Sequence, residues 1–153
     1  MITRILGAAT SIALAVLFAG CQTPTAPAKH TEAEVRAVLD QSVRDWNAGN
    51  LAGFMEAYAK SEHTRFASGG DVVLGWQTVF ARYQRKYGNR AAMGTLNFSD
   101  VDVTALGPDT ALAFGRWHLK RDADAPSGLF TLLFRRTPDG WRIVHDHTSS
   151  ANP

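Results

Sequence analysis

Apolar positions along this chain change their period once. Between Thr31 and Tyr87 they recur mainly at three- and four-residue steps, and from Leu96 onward they alternate with polar ones. Thr31 opens the first predicted helix, with Glu34 at capping-box spacing. Val35, Val38, Leu39, Val43 and Trp46 form its apolar stripe, opposite Glu32, Arg36, Asp40 and Arg44. Gly49, within Asn47-Ala48-Gly49-Asn50, ends it as a left-handed cap. A second helix, Leu51 to Ala59, buries Leu51, Phe54, Met55 and Tyr58. The turn Gly69-Gly70-Asp71 between short apolar runs predicts a hairpin. A third helix from Trp76 to Tyr87 buries Trp76, Val79, Phe80, Tyr83 and Tyr87, with Arg82, Arg85 and Lys86 on its other side.

Four strands follow: Leu96 to Ala105, Thr110 to Lys120, Gly128 to Thr137 and Trp141 to Ser149. The turn formers Gly107-Pro108-Asp109, Asp122 to Pro126 and Pro138-Asp139-Gly140 separate them. Three helices with a hairpin, then four antiparallel strands, predict an α+β domain with helices laid on one face of a bent sheet.

The start of the chain follows another pattern. Arg4, an apolar run from Ile5 to Ala19 and the small-residue exit Ala19-Gly20-Cys21 describe a secretory signal over residues 1–20. Leu17-Phe18-Ala19-Gly20-Cys21 resembles the lipobox, with Phe18 where Leu is usual. That resemblance implies lipidation of Cys21, the only cysteine, with an ordinary signal peptide and a stray thiol as the plainer alternative. Residues 21–30, with Pro24 and Pro27, read as the lipidated cysteine and a tether, and residues 31–150 as one domain. Gln22 stands where an Asp would favour the inner membrane, so a periplasm-facing lipoprotein of the outer membrane is expected.

Charge narrows the partners. Residues 21–153 hold 15 basic and 14 acidic side chains, which argues against a nucleic-acid partner. With no second cysteine, no internal disulfide forms.

Two stretches carry a family resemblance over about Thr31 to Ser150. They are Asp45-Trp46-Asn47-Ala48-Gly49-Asn50-Leu51-Ala52-Gly53-Phe54-Met55-Glu56-Ala57-Tyr58-Ala59 and Gly140-Trp141-Arg142-Ile143-Val144-His145-Asp146-His147-Thr148-Ser149. Both resemble the nuclear transport factor 2-like superfamily, in its SnoaL-like and domain-of-unknown-function 4440 branch. The resemblance implies a cone-shaped, cystatin-like α+β fold with three N-terminal helices packed on a bent antiparallel sheet. It leaves function open, because the fold hosts isomerases, cyclases, dehydratases, ligand carriers and assembly modules. Ketosteroid isomerases of this superfamily use a Tyr, a carboxylate base and a protonated Asp. Aligned on Asn47-Ala48-Gly49, those positions fall on Ser42, near Phe66 or Ala67, and near Leu132, so that chemistry is not expected. A scytalone-dehydratase-like pattern is only loosely mimicked by His118, His147, Tyr58 and Tyr83.

The candidate chemistry centres on the last strand. Alternation puts His145 and His147 on one face with the apolar Trp141 and Ile143, so that face is expected to point into the cone. A register shift of one residue exchanges the histidines for Asp146 and Thr148. The histidine pair can ligate a metal only if His118 or His63 converges on it; otherwise the two are polar residues of a pocket or a dimer interface, and no metal or cofactor is assigned. Arg116 and His118 share a mixed face with Leu112 and Phe114, as a pocket wall would. Arg116 can alternatively pair with Asp100, Asp102 or Asp146, the reading preferred here. The aromatic stripes are mainly core, with tyrosines such as Tyr58 the best placed to meet a ligand. The run Arg82, Arg85, Lys86 and Arg90 reads as a solvated helix face, with an anionic membrane surface as the alternative.

The first expectation is therefore a membrane-tethered periplasmic domain that binds a small apolar or weakly acidic molecule. Trp46, Tyr58, Trp76, Tyr83, Arg116, His118, His145 and His147 would line its site. The alternatives are a homodimeric assembly module without ligand and a lyase- or isomerase-like enzyme using His147 or His118 as acid/base, with Asp146 or Tyr58 assisting.

Overall fold

The computed structural model describes residues 26–151; the expected signal, Cys21 and most of the tether lie outside the described residues. No helix among the described residues is long and apolar enough to cross a membrane.

The elements run α1 (Ala26–Asn47), α2 (Leu51–Met55), β1 (Arg65–Ser68), β2 (Asp71–Leu74), α3 (Trp76–Lys86), α4 (Arg90–Met93), β3 (Thr95–Ala105), β4 (Thr110–Lys120), β5 (Ser127–Thr137) and β6 (Gly140–Thr148). The four long strands match the alternating pattern to within one residue at each end. The first helix starts earlier than Thr31, at Ala26, and Pro27 sits in its first turn, where backbone N–H groups have no partner within the helix. Thr31 is therefore buried mid-helix, and the capping box does not form. Glu34 instead accepts hydrogen bonds from Arg136 and from the Trp141 indole, fastening α1 to the far end of the sheet. The second helix stops at Met55, before Tyr58, and the short α4 has no counterpart in the expected elements.

One six-stranded sheet carries the domain, in the order β2-β1-β6-β5-β4-β3. The predicted hairpin joins its edge, with β1 parallel to β6 and the other pairs antiparallel. Two bulges bend it, one between Ser99 and Asp102 on β3 and one on β6 opposite Leu133 and Phe134. At the first, Asp100 adopts a φ of 52°, tolerable for an aspartate, and its carboxylate takes the Arg116 guanidinium.

Helix α1 presents Val35, Leu39, Ser42 and Trp46 to the concave face. The Asn47 side chain locks its end to β3, donating to the Leu96 carbonyl at 2.9 Å and accepting from the Leu96 N–H at 2.8 Å. Asn50 caps α2 through the Gly53 N–H. The chain then runs alongside β6, where Ala59 donates to the Ile143 carbonyl and Ile143 to the Ala57 carbonyl. That pairing fixes Tyr58 against the concave face.

Candidate functional site

The concave face of the sheet and helices α1 and α3 enclose an open-ended cavity of about 110 Å³. Its wall is aromatic and aliphatic, with Trp46, Phe54, Phe66, Phe98, Trp117 and Phe130 prominent. The rings pack edge-on: Trp46 meets Phe54 at a centroid distance of 4.9 Å and Tyr87 at 4.7 Å. The Trp46 indole N–H is used structurally, donating to the Met93 carbonyl at 3.0 Å.

Set in this apolar wall is a carboxylate. Asp146 is 3 % exposed and lines the cavity. Its Oδ2 accepts from the Tyr58 hydroxyl at 2.7 Å, and its Oδ1 accepts from Thr148 Oγ1 at 2.6 Å. The Tyr83 hydroxyl stands 3.5 Å from that of Tyr58, extending the polar chain. Burial pushes the Asp146 carboxyl up to about 6, against the lowering effect of the Thr148 and Tyr58 hydrogen bonds and of nearby His147. Burial and the neighbouring Asp146 hold the Tyr58 and Tyr83 hydroxyls neutral far above the ordinary phenol range. The arrangement offers an interior acceptor that can also hold a proton near neutrality, beside two permanent hydroxyls.

Of the eight residues expected at the site, three line the cavity: Trp46, Tyr58 and Tyr83. The other five do not. Trp76 packs on Phe80 and donates to the Met55 carbonyl. Arg116 lies on the convex face of β4, 3.3 Å from Asp100, the structural pairing preferred from the sequence. His118 lies exposed on that face, 3.3 Å from Ser99 Oγ. The cone-facing residues of β4 are those of opposite parity, Trp117 and Leu119.

His145 and His147 also point away from the cone. Leu133 pairs with His145 but Phe134 with Ile143, which leaves Val144 as an extra residue on β6. Trp141 and Ile143 face inward before it, and Asp146 and Thr148 do so after it. His147 is exposed; His145 is half-buried, its Nδ1 unpartnered among the described residues and its pKa pulled down by burial, Arg65 and His147. Neither His147 nor His118 is placed to act as an acid or base on a molecule in the cavity. Among the described residues no three His, Cys, Asp or Glu side chains converge as a metal site would require.

Asp146 and Thr148, which the sequence offered only on a one-residue register shift, take the histidines' place on the inner face, and the cavity-facing Arg82 and Lys86 were missed as site residues. It did locate the cone by analogy: Ser42, Phe66 and Leu132, the positions aligned with the isomerase groups, all line the cavity.

The SnoaL-like domain family matches residues 35–153. The chain belongs to the SnoaL-like family. Among solved structures, a nuclear transport factor 2-like protein of unknown function from Shewanella oneidensis is 33 % identical, with a TM-score of 0.74 over 76 % of this chain and 97 % of that one. One from Pseudomonas putida, also of unknown function, is 19 % identical, with a TM-score of 0.69 over 82 % and 89 %. A candidate dehydratase of the same superfamily from Streptomyces avermitilis is 21 % identical, with a TM-score of 0.68 over 82 % and 99 %. These last two likenesses are of fold alone. No match is found among curated proteins. The cone-shaped, cystatin-like fold expected from the sequence is thus the fold of this SnoaL-like domain.

Proposed function

We propose that this SnoaL-like domain binds a small, largely apolar molecule in its cone, with one polar group of that molecule against Asp146 and Tyr58. The supporting observation is the buried carboxylate itself. An apolar aromatic cavity with one or two convergent polar groups is the usual make-up of a small-molecule site. A folded protein has little structural reason to keep a carboxyl there, since an apolar residue would avoid the desolvation cost. Native mass spectrometry of the purified protein beside Asp146→Leu tests the reading. A small co-purifying mass lost in the variant is the expected result; an empty cone in the wild type that also takes up no added apolar molecule overturns it.

A second reading, catalysis, draws on the same residue. A carboxyl titrating near 6 is suited to shuttle a proton at neutral pH, with the Tyr58 and Tyr83 hydroxyls as donors to developing charge. Asp146 replaces the two histidines in that role, and the chemistry would be lyase- or isomerase-like. The remaining expectations stand as parts of the same proposal. Lipid on Cys21 holds the domain at a periplasm-facing membrane, the outer rather than the inner, and incorporation of labelled palmitate that Cys21→Ser abolishes is the check. A second copy covers the convex sheet face, where Phe114 is 43 % exposed beside half-buried Leu112, Leu129 and Leu133. Sedimentation of Phe114→Lys as a monomer, against a dimeric wild type, is the outcome expected there.

A further inference from the structure

Two cations stand at the opening of the cone. Arg82 and Lys86 are four residues apart on α3, so they share a face, and both line the cavity. The Arg82 guanidinium lies 5.3 Å from the centroid of Phe66, and Lys86 Nζ lies 5.4 Å from that of Tyr87. The ring contact holds the half-buried Arg82 against the aromatic wall, while Lys86 stays exposed at the rim beside Tyr87. Neither forms an ion pair or a side-chain hydrogen bond with another described residue, whereas Arg116, Arg121 and Arg136 each hold a carboxylate. Lys86 and Ser150 are the exposed members of the lining and mark the mouth, with Ser68 and Arg82 half-buried beside them.

Resting on the cone as a small-molecule site, we propose that its ligand is an anionic amphiphile of about one ring in size. The anionic group sits at the mouth between Arg82 and Lys86, and the apolar body fills the cone behind it, its inner end carrying the polar group that meets Asp146 and Tyr58. Three observations fix this arrangement. A guanidinium held on an aromatic face presents its N–H fork to a carboxylate, which it binds bidentately, and the ammonium four residues on adds a second positive charge. The opposite orientation is unfavourable, because an anion driven to the inner end would meet Asp146, itself ionised for much of the range above pH 6. Size follows from volume: about 110 Å³ corresponds to roughly eight water-sized groups, enough for one ring or a short alkyl chain.

Calorimetric titration with 4-hydroxyphenylacetate and 8-hydroxyoctanoate, each beside its neutral amide, reads the proposal directly. The expected result is that at least one acid binds the wild type about tenfold tighter than its amide, and that the preference shrinks as salt is raised. Arg82→Gln with Lys86→Gln should bring acid and amide to parity through loss of acid affinity, with an unchanged near-ultraviolet circular dichroism spectrum of the cone's aromatic side chains showing that the variant is intact. Equal affinity of acid and amide for the wild type overturns the anionic assignment and leaves the apolar cavity standing. Failure of all four probes to bind the wild type overturns both.

Discussion

The Tyr58 hydroxyl donates to Asp146 Oδ2 at 2.7 Å across 88 residues of sequence. The bond joins the segment after α2 to the last strand, the two stretches that carry the family resemblance. Its placement depends on backbone pairing, since Tyr58 is held beside Ile143 and Phe66 beside Asp146. The cone is thus closed by the same contacts that create its polar end.

Asp146 should make the protein less stable as pH rises. Its carboxyl sits at about 6 when folded, against an ordinary value of 3.8. Between those values the folded state keeps a proton that the unfolded state has released, so stability falls as pH rises through the window and stays low above it. Asp146→Asn lacks this dependence. Chemical denaturation at pH 4 and pH 8 should show the variant gaining on the wild type by about 2 kcal/mol. A constant gap across the range would show that Asp146 is solvated in the folded protein.

Tyr58→Phe removes a donor from a buried carboxylate and should cost about 2 kcal/mol at neutral pH. The Tyr58 bond lowers the Asp146 value, so the variant's carboxyl should titrate higher than the wild type's. Carbon-detected carboxyl titration reads that movement. A purely structural tyrosine would cost stability and leave the titration in place.

Gly115 is held to glycine by the cavity wall. A Cβ there would lie 2.5 Å from the Phe130 ring, which lines the cone. Gly115→Ala should therefore cost about 1–3 kcal/mol. Because the three nearest heavy atoms all belong to the Phe130 ring, adding Phe130→Leu should recover part of the loss, giving a measurable coupling in a double-mutant cycle. Strictly additive losses would mean that the backbone, not the ring, absorbs the strain.

Most of the fold was legible because period and turn chemistry agree along the chain. Pro108, Pro126 and Gly140 mark strand ends, and the strand spans follow. The cavity-lining tyrosines were legible for the same reason, since Tyr58 and Tyr83 continue apolar stripes. The histidines misled because alternation counts residues, and a bulge adds one without any sequence signature. His145, two residues after Ile143, belongs on the inner face by count and on the outer face in fact. On β4 the convex face carries Leu112 and Phe114, so hydrophobicity alone did not say which face was inside. Arg82 and Lys86 were read as solvated because a helix wheel cannot show that this face of α3 borders a cavity.

The bulge on β6 has a structural origin that a deletion can test. Its edge pairs first with the Tyr58 segment at Ile143 and then with β1 from His145 onward. Val144 lies at the change of partner and has no residue of its own opposite on β5. Removing Val144 leaves Ile143, His145 and Asp146 in strict alternation, with Asp146 still facing inward and still paired with Leu132. The deletion should therefore cost stability through lost bending of the sheet, yet keep the Asp146 carboxyl raised to near 6. Deleting His145 instead makes Val144 its replacement in the row and preserves the same parity, so both variants should titrate alike. An Asp146 carboxyl that returns to the ordinary aspartate range in either variant would mean that the strand slid by one residue, and that the bulge itself holds the carboxyl in the cone.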